Sequence, residues 1–304
     1  MTSLGTVRLW QAACTACLFS ALALAVLCPS VALGQQKRYR PLPDYVQLAR
    51  PDQTEGRKVL EAFRSAGAGD AFYLEFQLRV LPRRGPERRV TGRLWDAKID
   101  SVAHRRLELD PPQNDEGKSL TRLLVVGGSS PKVWRWRQGR VPALETLGGS
   151  SFFDRLGDTD LTPFDLQMPF LDWPEFEFEG VRKVRGRPAH SFLFYPPAEW
   201  SVWQPTLTGV RVFLDTQYNA LVQVEQLGDR GVVEKSVSVL DLKKWGERWM
   251  VKTIDVRNEV TRNKTRFSVT AAALELTFAH ALFSPEELGS ALLPPETGLT
   301  RVEP

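Results

Sequence analysis

Beyond residue 28 the sequence has no cysteine. Cys14, Cys17 and Cys28 all lie near the start of a 304-residue chain. The rest can form no disulfide, offers no thiolate nucleophile and supplies no cysteine to a metal. Histidine is nearly as scarce. His104, His190 and His280 stand singly, none with a second histidine or cysteine at ligand spacing, and read as structural rather than as metal ligands. The G-x-S-x-G elbow, the P-loop and GxGxxG are absent. The two GGSS runs, Gly127 to Ser130 and Gly148 to Ser151, lack the elbow spacing and read as hairpin ends. Charge of one sign is missing too: the net is +4, and +3 beyond residue 34, since Arg8 is the only charge before it. So small an excess makes no electrostatic case for nucleic acid. The expectation is a protein without cofactor, metal site or catalytic residues, and therefore not an enzyme.

What is present begins with an export signal. An apolar run from Leu18 to Cys28 follows Arg8, Pro29 breaks it, and Ala32-Leu33-Gly34 offers small residues for cleavage after Gly34. The alternative is an uncleaved inner-membrane anchor, because the uncharged stretch from Leu9 to Gln36 is long enough to span a bilayer. An exported chain without disulfides is stabilised by its core alone, and residues 35–304 suffice for one large domain.

Asp52 and Glu55 stand at capping-box spacing before Val59, Leu60 and Phe63, which predicts one amphipathic helix closed by Gly67 and Gly69. In AFYLEFQLRVL, Phe72, Leu74, Phe76, Leu78 and Val80 alternate with Tyr73, Glu75, Gln77 and Arg79, the period of a half-buried strand. PRRGPERR turns it into RVTGRLWDAKI. Further strand-like runs recur through TRFSVTAAALEL, joined by short turns such as RGRP, DTQYN and LGDRG. The fold class expected is mainly β with a few helices: one antiparallel meander sheet that curls or closes. Residues 35–290 form it, with 291–304 as a loose Pro-rich tail.

LTPFDLQMPFLDWP, residues 161 to 174, is the unusual stretch. It is rich in apolar side chains, yet Pro163, Pro169 and Pro174 divide it. Thr162 as cap with Pro163 in the first turn, a break at Pro169 and a stop at Pro174 predict two short helices in series. The carboxylates around it, Asp154, Asp158, Asp160, Asp165, Asp172, Glu175, Glu177 and Glu179, match no calcium loop and read as a solvated face. In KVWRWR, Trp134 and Trp136 share one strand face and Arg135 and Arg137 the other, against a base-stacking platform; the tryptophans are expected on the concave side.

Four places in the chain resemble the LolA-like family of periplasmic outer-membrane lipoprotein-sorting proteins. GRLW with LLVVGGSSPKVWRW is similar to that family's strand pair ending in a glycine turn, and TDLTPFDLQMPFLDWP to its short aspartate-leucine helix. GRPAHSFLFYPP with VRVFLDTQYNALVQVEQLGDRG is similar to its G-R-P strand and following hairpin, with Phe213 where tryptophan is commoner. LFSPEEL matches its closing F-[ST]-P-x-x-L. The resemblance implies a periplasmic half-barrel of LolA/LolB type whose apolar concave face, covered by short helices, accepts lipid acyl chains.

On that basis the expected partners are lipid acyl chains or lipoproteins, and envelope transport components. Phe164, Met168, Phe170, Leu171 and Trp173 are expected to pack over the cavity mouth against Phe76, Trp95, Trp134 and Trp136. Leu78, Leu124 and Phe194 complete the apolar wall. A non-catalytic envelope module with a filled barrel is the alternative. A hydrolase using Asp165 or His190 ranks third, since neither has a visible partner.

Overall fold

The computed structural model describes residues 51–65, 71–111, 120–128, 130–139, 142–245 and 248–302. The expected leader and its cleavage point lie outside them. Helix α1 (Gln53–Ser65) begins as its spacing predicts, with Asp52 Oδ1 accepting from the amides of Thr54 (2.8 Å) and Glu55 (3.4 Å). Gly56, Leu60 and Phe63 face inward. A Cβ on Gly56 would stand 2.4 Å from Phe178, so only glycine allows the helix this close to the sheet.

The strands are β1 (Ala71–Leu81), β2 (Arg88–Ile99), β3 (Val102–Leu109), β4 (Thr121–Val126), β5 (Lys132–Arg137), β6 (Ala143–Leu147), β7 (Phe176–Val184), β8 (Arg187–Phe194), β9 (Gly209–Asp215), β10 (Leu221–Leu227), β11 (Val233–Trp245), β12 (Arg248–Asn258), β13 (Lys264–Leu276) and the short β14 (Thr300–Arg301). Two further helices are α2 (Pro163–Gln167) and α3 (Ala198–Trp203). The sheet order is β6-β5-β4-β3-β2-β1-β13-β12-β11-β10-β9-β8-β7, with β14 against β13. Two meanders thus meet where β1 pairs with β13. The edges, β6 and β7, are consecutive in the chain, so residues 148–175 must cross from one edge of the sheet to the other.

That crossover shows that the sheet is curled. Gln167 donates to the carbonyl oxygens of Val126 (3.3 Å) and Lys132 (3.0 Å) at the β4–β5 turn. Asp165, on the same helical turn, accepts from Gln226 of β10 and Lys235 of β11. Strands far apart in the order can touch one five-residue helix only if the sheet wraps around it, which gives the half-barrel expected.

Register sorts the side chains between two faces. Leu74, Leu94, Leu107 and Leu123 are successive cross-strand partners and, with Val212, Phe192 and the crossover, belong to one large core on the inner face. Tyr73, Trp95, Arg106, Leu124 and Trp134 form the adjacent row and point outward, where Phe283 and Leu288 of the C-terminal segment cover them. The part of the sheet from β5 through β1 to β13 is therefore buried on both sides, as the doubly apolar strand β4 suggests. Arg106 fixes the cover: its guanidinium donates to the carbonyls of Leu282 (3.1 Å), Glu287 (3.0 Å), Leu288 (3.4 Å) and Ser290. The stretch expected to be a loose tail is not loose. β14 pairs with Ala271 and Ala272, and Val302 is buried in the main core.

Gln53 manages one open edge. Its side-chain amide donates to Phe178 O and accepts from Phe178 N, both at 2.8 Å, satisfying the backbone of β7 where no further strand exists.

Candidate functional site

The crossover is the candidate site. Thr162 caps α2 through the reciprocal bonds with Asp165, and Pro163 occupies its first turn. Met168 adopts a left-handed conformation (φ 49°), after which Pro169–Asp172 forms a separate 3-10 turn that ends at Trp173. The two short helices expected from the prolines are thus present. Their position differs from the expectation. Every residue from Thr159 to Leu171 is buried, so the segment lies within the curled sheet instead of over its mouth.

The aromatic residues of this segment form one network. Phe164 stacks on Phe153 at 4.7 Å and meets Phe170 at 5.6 Å and Trp200 at 5.4 Å, while Phe170 reaches Phe194 at 6.5 Å. Trp173 lies 5.9 Å from Trp200, and its Nε1 is buried without a hydrogen-bond partner. Trp200 comes from α3, a helix too short to be signalled by periodicity.

Of the twelve residues singled out from the sequence, eight meet on the inner face: Phe76, Leu78, Phe164, Met168, Phe170, Leu171, Trp173 and Phe194 share its core. Trp95, Leu124, Trp134 and Trp136 do not. They belong to the outer cluster, because Leu94, Leu123, Val125 and Val133 take the inward positions and alternation sends their neighbours outward. Arg122 lies 4.7 Å over the Trp136 ring and donates to Glu108 (2.6 Å) and the carbonyl of Gly289. The expected contact of the crossover with Trp95, Trp134 and Trp136 is thus replaced by contact of those residues with the C-terminal segment. Gly92 shows how tightly Phe76 fills the inner side: a Cβ there would stand 2.4 Å from its ring.

Charged groups also enter the inner face. Arg105 and Asp96, cross-strand partners in the row of Phe72 and Val125, form an ion pair at 2.7 Å with 2% and 13% of their side chains exposed. Burial pushes the Asp96 carboxyl up to about 6 although Arg105 pulls the other way. Asp160 and Asp165, grouped with solvated carboxylates in the sequence, are buried instead. Asp160 accepts from Thr265 Oγ1 at 3.0 Å. Asp165 Oδ2 accepts from the amide and hydroxyl of Thr162, both at 2.8 Å, and from Lys235; its Oδ1 accepts from Gln226 at 2.7 Å. Four donors thus meet this carboxylate, three at Oδ2 and one at Oδ1. The Thr-x-x-Asp spacing was the available signal. Asp96 had one too, since it continues the inward parity of Leu94.

From α1, Arg64 donates to the carbonyls of Leu171 (2.6 Å) and Trp173 (3.4 Å), and burial lowers its pKa from the usual value. His190 is half-buried beside Phe178 at 5.8 Å, and burial lowers its pKa as well. Among the described residues no group of His, Cys, Asp and Glu has a metal-binding arrangement.

No family model matches the chain, and no curated protein matches it in sequence. Solved structures match its fold. A DUF1329 family protein from Desulfovibrio piger shares 14% identity at a TM-score of 0.67, over 77% of this chain and 98% of that one. An outer-membrane lipoprotein-sorting protein domain from Vibrio parahaemolyticus gives 15% and 0.64, over 76% and 98%. A LolA superfamily protein from Nitrosomonas europaea gives 12% and 0.57, again over 76% and 98%. The fold is LolA-like: one open, curled antiparallel sheet with few helices.

Proposed function

We propose that the protein is a periplasmic carrier that binds the acyl chains of lipoproteins or another envelope lipid on its inner face, without covalent chemistry. The observation that carries this reading is the crossover. It joins the two free edges of a curled apolar wall and occupies that wall with side chains of the kind an acyl chain would replace. The lipoprotein-sorting function named for the Vibrio parahaemolyticus structure supports it at the level of fold.

Magnitudes favour exchange over simple filling. A long acyl chain contributes on the order of 10 kcal/mol at about 0.8 kcal/mol per methylene. Withdrawing Phe164, Met168, Phe170, Leu171 and Trp173 costs a similar amount, at roughly 2 kcal/mol per large apolar side chain. Two nearly equal terms allow loading and release without an external energy source. Trp173 Nε1, buried and unpaired, lowers the cost of opening, because an unmet donor already costs about 1–3 kcal/mol in the closed form.

A second reading, a non-catalytic envelope module with a filled barrel, is favoured by the unbroken burial from Thr159 to Leu171. Native mass spectrometry of protein taken from its own envelope separates the two. A carrier yields an added lipid mass at near-stoichiometric level, and its apo form takes up fluorescent fatty acid. A clean apo mass with no uptake would favour the filled module. Delivery to or from other envelope transport components belongs to this proposal, as does export by the N-terminal segment.

A further inference from the structure

Three hairpin tips at one end of the sheet carry chemistry that acyl-chain binding does not use. β7 turns into β8 through Arg185 and Gly186, β9 into β10 through residues 216–220, and β11 ends at Trp245 shortly before β12 begins at Arg248. These strands are antiparallel neighbours, so the three tips emerge side by side. The third reaches furthest. β10 pairs with β11 only as far as Ser238 and β13 with β12 only as far as Thr253, so the outer half of the β11–β12 hairpin is paired with itself alone.

These tips present cations beside half-exposed rings. Arg185 and Gly186 both have positive φ (52° and 86°), the two-residue turn that matches strand twist, and Arg185 is exposed there with no ion pair among the described residues. Tyr218 is 40% exposed, with the Arg187 guanidinium 5.8 Å from its ring. Lys244 stands directly opposite Trp249, and Leu242 shares their face; Trp249 and Leu242 are 39% and 38% exposed. On the opposite face Trp245 and Met250 are buried in the main core, which holds the hairpin in place. Lys243 lies 5.6 Å over the Trp245 ring. Of the nearby acids among the described residues, Asp215 is buried, caps its own turn and pairs with Arg187 at 3.4 Å, and Asp241 is exposed.

We propose that this end of the molecule docks on the surface of an anionic phospholipid bilayer. Amphipathic rings seated at headgroup depth and flanked by Lys and Arg are the side chains such a surface selects. A protein partner would call for aromatic anchors gathered in one desolvated centre, whereas here they are distributed over separate tips. Docking is independent of acyl-chain binding: a variant that no longer docks keeps its fatty-acid uptake.

Vesicle flotation tests this on protein in its native N-terminal form, with phosphatidylcholine vesicles and with the same vesicles carrying phosphatidylglycerol. The quantity read is the excess bound to anionic over neutral vesicles, because a membrane-inserted N-terminus adds to both. Each cation at the surface contributes about fivefold to binding. The wild type is expected to show a preference of about tenfold or more, falling at about 0.5 M salt. R185E/K244E, with an unchanged melting temperature, is expected to lose it. Equal binding to both vesicles, or a preserved preference in that variant, would overturn the proposal. Should the double variant not fold, quenching by brominated anionic lipid decides: wild type must be quenched more than Trp249→Phe, and equal quenching sinks the idea.

Discussion

Asp96 and Arg105 show what a single pair of side chains costs inside an apolar wall. Two charges removed from water gain little net stability from each other, but either one alone is severely destabilising. Arg105→Met is therefore expected to cost about 3–5 kcal/mol in urea melts at about pH 8, because it leaves the Asp96 carboxylate buried without its counter-charge. Replacing both, as D96L/R105M, should restore most of that loss. If the double variant is no more stable than the single one, the pair is not the unit described. The pH dependence follows from the same burial. Asp96 has a folded pKa of about 6, above the ordinary 3.8, so its contribution is full below 3.8 and is lost as pH rises through 6. His190 acts in the opposite direction. Its folded pKa lies below 6.5, so stability is full above 6.5 and falls as the solution is acidified. Melts between pH 4 and pH 7 should show the acid-side loss disappear in His190→Gln; an unchanged profile would contradict the assignment. At this scale the apolar residues were readable from alternation. Inward-facing charges were not, because a charged residue in a strand signals solvent unless its partner, here on the neighbouring strand, is also known.

Under the carrier proposal, the crossover is the element on which loading depends. Its prolines announced two short helices, and Thr162, Pro163 and Pro169 perform the roles their positions imply. What the sequence did not disclose is that both faces of α2 are buried, since that depends on which strands surround it. α3 and β6 went unrecognised because short, polar-interrupted segments carry no period. The outward placement of Trp95, Leu124, Trp134 and Trp136 was missed for a related reason: when a strand is apolar on both faces, alternation separates the faces without saying which is inner. Polar contacts tie the crossover to its surroundings: Arg64 to the carbonyls of Leu171 and Trp173, Gln167 to the β4–β5 turn, Asp160 to Thr265, and Asp165 to Lys235 and Gln226. Lys235→Met should leave Asp165 short of a counter-charge and loosen the segment, raising amide exchange across residues 161–173 by about tenfold or more, the equivalent of about 1.4 kcal/mol. Exchange as slow as in the wild type would show that apolar packing alone fixes it.

At the scale of the whole molecule, one sheet is filled on its inner face and partly covered on its outer face by its own chain, and the two covers are held differently. The outer cover, from Phe278 to Leu299, is fastened by the carbonyl cage of Arg106 and Arg122 and followed by β14, and burial lowers the Arg106 pKa to about 10. The inner cover has no strand pairing to the sheet it fills. Backbone pairing resists displacement more than side-chain contact does, so under the carrier proposal the inner face is the one that opens. Photolabelling tests this most directly: a fatty acid with a photoreactive group near its methyl end, bound to the intact protein, followed by mapping of the labelled residues. Label on Phe76, Leu78, Phe194 and the crossover is the outcome expected. Label confined to the outer row of Trp95, Trp134 and Trp136, or no specific label at all, would contradict it.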